Sequence, residues 1–149
     1  MASLNQIESF LASGPIAVAG VSRNSKKFGY MAFKELKDKG LNVIPVNPAA
    51  DEILGVKAYP NVQSLPGDIS GLIIITPKKQ SAQVAREARE KGIHNVWIQQ
   101  SSDTPEAIKE LDVPGMNLIT GQCILMHYKP NSFHKFHRAV NKLFGVFPK

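Results

Sequence analysis

Apolar and polar positions alternate between two periods along this chain, short β-branched runs and longer four-residue stripes. Leu4, Ile7 and Leu11 share a helical face from Ser3 to Leu11, and Ser3 with Gln6 has capping-box spacing. Ser13-Gly14-Pro15 stops that helix, and Ile16-Ala17-Val18-Ala19 reads as a strand. After a small-residue turn, Phe28, Ala32 and Leu36 predict a helix from about Gly29 to Lys39, closed by Gly40. Leu41 to Val46 is a second strand. Pro45 within it cannot donate to a ladder, which places it at a sheet edge or interrupts its pairing. Gly71 to Ile75 carries four successive apolar residues and so predicts a strand buried on both faces.

The passage between those two strands is rich in loops, with at most a short helix near Val62 to Leu65. Beyond it, Lys79 to Lys91 is amphipathic and ends at Gly92, and Asn95 to Gln99 is a fourth strand. Thr104 and Pro105 are the cap and first residue of a short helix to Leu111. Met116 to Thr120 is a fifth strand, and Ser132 caps a last helix to Phe144, with Phe133, Phe136, Val140 and Phe144 on one stripe.

Strands alternating with helices specify a mostly parallel sheet covered on both faces. The expectation is a three-layer α/β, Rossmann-like fold of five strands in the order 3-2-1-4-5, forming a single domain over residues 1–149. Ligands of such sheets lie at the carboxyl ends of the strands, where the order reverses. Five loops converge there: Gly20 to Gly29, Asn47 to Ala49, Thr76 to Gln80, Gln99 to Asp103 and Gly121 to Cys123. None supplies a paired carboxylate.

The turn after the first strand carries the most chemistry. A helix starting just after a strand points unpaired N–H groups and a positive dipole end at whatever lies above the sheet, and anions bind there. Gly20 permits close backbone approach, Ser22 and Asn24 offer hydrogen bonds, and Arg23, Lys26 and Lys27 surround one concavity with positive charge. A phosphorylated cofactor is the expected guest. Two features weigh against a nicotinamide dinucleotide. Serine replaces the second and third glycines of the dinucleotide fingerprint at Ser22 and Ser25, and Asn47-Pro48 replaces the acid that would hold the adenosine ribose. A ligand with more phosphate, such as coenzyme A with its 3′-phosphate, suits the basic turn better.

Composition adds few constraints. The 149 residues are 43% hydrophobic, enough for a core, and the net charge of +6 favours an acidic partner. From Val113 onward there is no Asp or Glu, while Lys129, Lys135, Arg138, Lys142 and Lys149 are basic. Nucleic acid is disfavoured as a partner, because the tail's phenylalanines fall on its buried stripe and leave no surface aromatics to stack on bases. The single cysteine, Cys123, excludes an internal disulfide, and no apolar run suits a leader or membrane span, so a cytoplasmic protein is expected.

Several segments carry a family resemblance. They are Ala19-Gly20-Val21-Ser22-Arg23-Asn24, Lys27-Phe28-Gly29, Val43 to Pro48, Leu54 to Pro60, Val96 to Gln100 and Phe133 to Arg138. In order and spacing they resemble the small stand-alone CoA-binding-domain family, similar in fold to the N-terminal domain of the succinyl-CoA synthetase alpha subunit. The resemblance implies that Gly20, Ser22, Arg23, Asn24 and Lys27 hold the CoA phosphates. It places Asn47 and Pro48 beside the adenosine, and Thr76, Pro77 and Gln99 along the pantetheine path. It implies no catalytic residue, because the phosphorylated histidine of the ligases lies in a second domain.

Three further features have a plain reading beside a functional one. Cys123 is read as a small buried hydrophobe, with a nucleophile or CoA mixed disulfide as the alternative. His134 and His137, three apart, are read as a surface pair, since no third metal ligand accompanies them. Trp97 is read as core or inter-subunit packing. Two functions stay open: a CoA or acyl-CoA binding module without its own chemistry, working alone, as a homodimer or with a partner protein, and an NAD(P)- or other nucleotide-dependent enzyme or regulatory subunit.

Overall fold

The computed structural model describes residues 3–127. The expected helix from Ser132, the basic residues from Lys129 onward and the His134/His137 pair lie outside the described residues.

The first helix, α1 (Leu4–Leu11), has the capping box expected of Ser3 and Gln6, each side chain bonded to the other's backbone N–H. The strand β1 (Ile16–Ala19) follows, then α2 (Phe28–Asp38) and β2 (Val43–Val46). Next come the two strands of a small antiparallel hairpin, β3 (Glu52–Ile53) and β4 (Val56–Lys57), which the apolar pattern does not predict. The main chain resumes with β5 (Gly71–Ile74), α3 (Lys78–Lys91), β6 (Asn95–Gln99), α4 (Pro105–Leu111) and β7 (Asn117–Gln122). A 3-10 turn spans Ile124–Met126. Residues 62–65 form turns in place of the short helix.

The main sheet is five-stranded and parallel at every pairing, as an α/β Rossmann-like fold requires. Its order corrects the expected one. The strands run β2-β1-β5-β6-β7, which is 2-1-3-4-5 in the count of main-sheet strands. An order of 3-2-1-4-5 would put Gly71–Ile74 at an edge, with one side of its backbone unpaired. All four of its residues are buried, and it finds that environment between β1 and β6. The long connection over 47–70 makes this possible by passing back across β1.

β2 is the edge strand, as Pro45 suggests, and Pro45 sits opposite Val18. Its outer side is partly covered, because Tyr59 N–H donates to Pro45 O at 3.1 Å and Asn47 N–H donates to Tyr59 O at 2.9 Å. At the other edge, the expected end at Thr120 gives way to a bulge. Trp97 pairs Ile119 but Gln99 pairs Gln122, and Gly121, with φ +70°, supplies the backbone turn that lets β7 continue.

Alternate residues of β1 face opposite layers. Ile16 and Val18 pack with α1 and α2 through Phe10, Phe33 and Leu36, whereas Ala17 and Ala19 pack beneath α3 and α4 with Ala85, Ala88 and Leu111. The alanines on both sides of the second interface let α3 lie close to the sheet. Trp97 is fully buried, edge-on to Phe10 with ring centroids 5.5 Å apart, and its Nε1–H donates to Gln122 O. It is core. Outside the core, Arg86 and Arg89 of α3 both reach Glu110 of α4, at 3.0 and 3.1 Å. The Arg86 hydrogen bond, with the charges of Arg86 and Arg89, holds the Glu110 carboxyl below its ordinary range. Among the described residues, no helix is long and apolar enough to cross a membrane.

Candidate ligand-binding site

The strand order reverses between β1 and β5, so the loops leaving Ala19 and Ile74 part to opposite faces of the sheet and open a crevice. Two cavities meet there. The larger, about 490 Å³, lies between α3 and the 46–62 passage. The smaller, about 420 Å³, lies between the start of α2 and Ser101-Ser102. Gly20, Ser22, Thr76 and Pro77 line both and form the ridge between them.

The ridge is tightly built. Gly20 has φ +99°, and a Cβ there would come within 2.6 to 2.7 Å of the backbone of Ile75 and Thr76. Glycine is therefore required by the adjoining strand end, whatever occupies the site. Gly29 is equally constrained, since its Cβ would collide with the carbonyl oxygen of Gly20. It lets α2 sit directly on the end of β1, which is the packing role of the third glycine in a dinucleotide fingerprint. Serine occupies that glycine's usual place in the sequence, and Gly29 takes over its duty further along. Thr76 is fixed from two sides: its hydroxyl shares a hydrogen bond with Ser81 Oγ at 2.9 Å, and its carbonyl accepts from Ser102 Oγ at 2.7 Å.

Helix ends distinguish this region from the rest of the fold. α1 and α4 are capped by the side chains of Ser3 and Thr104. α2 and α3 start at Lys27 and Pro77 without a side-chain cap or an acid in the first turn, and both begin at the cavities. Lys27 and Lys79 line the cavities at these two starts. Two positive helix ends and two ammonium groups thus face one crevice.

Of the residues singled out from sequence, Gly20, Ser22, Lys27, Pro48, Thr76 and Pro77 line the cavities. Arg23 and Asn24 are exposed on the turn beside them, where Asn24 Oδ1 accepts from Lys26 N–H and Ser22 Oγ accepts from Asn24 N–H. Asn47 is committed to the fold: its amide donates to Val21 O at 2.8 Å and accepts from the N–H groups of Ala49 and Ala50. Gln99 lines neither cavity. It is buried, donates to Cys123 Sγ at 3.0 Å and accepts from Ile124 N–H at 3.1 Å. It thereby ties β6 to the chain leaving β7. Cys123 is buried against it, which fits the plain reading of that thiol. The Gly121 to Cys123 loop, one of five expected to converge, lines neither cavity.

The converging Thr76 to Gln80 loop continues into a lining face of α3 that the sequence does not single out, Gln83, Val84 and Glu87, opposed by Asn61 and Val62. Spacings of three and four from residue 80 to 87 were the available signal. Among the described residues, no group of three metal-binding side chains is present.

A three-layer α/β sheet with a lysine-lined crevice at its strand-order reversal has its cavities where doubly wound folds hold their ligands. Residues 15–129 match the CoA binding domain family, and the chain belongs to that family. It is 46% identical over 84 residues to the alpha subunit of ADP-forming acetate–CoA ligase II from Pyrococcus furiosus. That match covers 56% of this chain and 18% of the subunit, so the chain spans less than a fifth of this relative. An uncharacterized Bacillus subtilis protein, YneT, is 35% identical over 73% of this chain and 81% of its own length. Among solved structures, a conserved hypothetical protein from Pyrococcus furiosus superposes with a TM-score of 0.71 at 38% identity, covering 75% of this chain and 97% of its own. A hypothetical protein from Pyrococcus horikoshii reaches 0.76 at 28% identity, covering 84% and 88%.

Proposed function

We propose that this chain binds CoA or acyl-CoA and has no reacting group of its own. The observation that carries the reading is the pair of cavities meeting at the Gly20/Ser22–Thr76/Pro77 ridge, which suits a bent ligand with its charge at the bend.

In this reading the diphosphate lies against the start of α2, held by the Gly20 backbone, Ser22, Asn24, Lys27 and, from the rim, Arg23. The adenosine enters the larger cavity past Pro48, whose loop is shaped by Asn47. Lys79, at the start of α3, is placed to meet the 3′-phosphate. Pantetheine leaves over Thr76 and Pro77 into the smaller cavity toward Ser101, while Gln99 acts through the loop that follows it. In this reading the chain serves as a carrier, a sensor or one part of a multi-chain enzyme.

Thermal unfolding with CoA, dephospho-CoA, acetyl-CoA, NAD and NADP tests the proposal, because a ligand selective for the native state raises Tm. CoA is expected to give the largest shift and dephospho-CoA a smaller one. An equal or larger shift with NAD or NADP would replace this reading with the nucleotide-dependent alternative. Turnover of an acyl-CoA by the purified chain, abolished in Cys123→Ser, would overturn the absence of chemistry.

A further inference from the structure

Buried polar side chains are few in this fold, and their placement is uneven. Among the described residues they are Thr76, Ser81, Gln99, Ser102 and Gln122. Thr76 follows β5, Ser81 lies near the start of α3, Gln99 ends β6, Ser102 follows it and Gln122 ends β7, so all of them gather toward the carboxyl end of the sheet. A buried polar group costs free energy unless it is bonded, and folds depart from an apolar interior chiefly where function asks for it.

Four of the five are joined in one chain of hydrogen bonds. Gln99 Oε1 accepts from Ile124 N–H at 3.1 Å, and Ser102 N–H closes a turn on Gln99 O at 2.7 Å. Ser102 Oγ then donates to Thr76 O at 2.7 Å, and Thr76 Oγ1 shares a hydrogen bond with Ser81 Oγ at 2.9 Å. The chain thus runs from the segment after β7, across the ends of β6 and β5, into α3. Ser102 is the link that crosses from the β6 loop to the ridge, and it sets where the Ser101-Ser102 wall of the smaller cavity stands relative to Thr76. Pro77 cannot do this in its place, because it has no N–H and its carbonyl is turned to Gln80 N–H at 2.9 Å.

We infer that Ser102 is the positioning residue of the smaller cavity, holding the loop after β6 against the ridge so that the two cavities keep the spacing that a ligand spanning both requires. The inference rests on the CoA reading for the identity of that ligand. The Ser102 hydroxyl has one proton, committed to Thr76 O, so it acts through the ridge. Without it, the Thr76 carbonyl is left unpaired in the cavity wall and the loop loses its tether, while the larger cavity keeps the Thr76–Ser81 bond. A ligand confined to the larger cavity keeps its site, and one that reaches into both does not.

Calorimetric titration with CoA and with adenosine 3′,5′-bisphosphate, which has the nucleotide of CoA and no pantetheine, separates the two lobes. Ser102→Ala is expected to weaken CoA about fivefold, the worth of one hydrogen bond, and to leave the bisphosphate unchanged. Thr76→Val breaks the tie to α3 but keeps the carbonyl for Ser102, and should weaken both ligands alike. Ser102→Cys, similar in size but a poor donor, should fall between the wild type and Ser102→Ala, and it carries the test if the alanine variant does not fold. Equal loss of both ligands in the Ser102 variants, as a merely structural role would give, or no loss of CoA, would overturn the inference. If the wild type binds NAD and not CoA, AMP takes the place of the bisphosphate: a loss for NAD alone would sustain Ser102 and remove the CoA reading, and a loss for NAD and AMP alike, or for neither, would overturn both. A wild type that binds neither CoA nor NAD would also overturn both.

Discussion

A methyl group on Gly29 would occupy the space of the Gly20 carbonyl oxygen, so the start of α2 and the end of β1 are in direct backbone contact. Gly29→Ala must push the helix off the strand, at a cost of about 1 to 3 kcal/mol for overpacking. Chemical denaturation should show the loss. The displaced helix start should also weaken CoA, even at temperatures where the variant is folded. A variant as stable as the wild type would mean that α2 can withdraw without strain.

Charge at the crevice should be readable in the ligand series. Lys27→Ala is expected to weaken CoA by about 1.5 to 3 kcal/mol, the range for a charge-assisted contact. Arg23→Ala should cost less, since both side chains are exposed but only Lys27 lines a cavity. Ser22→Ala removes a neutral donor and should also cost less than Lys27→Ala. Calorimetry at two salt concentrations checks the set, with affinity falling as salt rises. Indifference of CoA to the loss of Arg23, Lys26 and Lys27 together would separate the basic turn from the ligand.

Gln99 offers a test of fold against site. Gln99→Met keeps much of the volume but leaves the Ile124 N–H and the Cys123 thiol without their partner. About 1 to 3 kcal/mol of stability should be lost, measured by denaturant unfolding. CoA affinity, referred to the folded fraction, should change far less than in Lys27→Ala.

The clamp between α3 and α4 should respond to acid. Glu110 has its folded pKa lowered, first by the Arg86 hydrogen bond and then by the charges of Arg86 and Arg89. A lowered folded value stabilises the native state above the unfolded pKa, and that contribution disappears as pH falls through the folded value. The Tm difference between wild type and Glu110→Gln should therefore be present at neutral pH and shrink on acidification. The exposed setting makes it small. A difference that grew toward low pH would contradict the assignment.

Local chemistry was legible along much of the chain. Ser3 with Gln6, Thr104 before Pro105 and Gly92 at a left-handed cap mark their helix ends through contacts a few residues away. Strand order was not, because the choice between 3-2-1-4-5 and the observed order depends on how 47–70 crosses the sheet. The fully apolar run of β5 held the clue, since an edge position would have left it half paired. Asn47 and Gln99 illustrate another limit. A polar side chain at a strand end reads equally well as a ligand contact or a backbone clasp, and both amides turn inward to backbone groups. The sequence marks Gly29 as a loop end and helix start but does not show why it is glycine, because its constraint comes from Gly20, a neighbour in space that helical periodicity does not reveal.

The larger cavity has walls of unequal origin. One is α3, anchored in the core by Ala85 and Ala88. The other includes Pro60, Asn61 and Val62, in a passage fastened to the sheet edge just upstream, where Tyr59 is bonded to Pro45 and Asn47. That fastening insulates folding from recognition: side chains at 60 and 61 can be exchanged without disturbing the β1–β2 ladder, while the ridge at Gly20 and the helix start at Gly29 admit no such freedom. An engineer wishing to retune the guest of this fold would keep the floor and one wall, and rewrite the other.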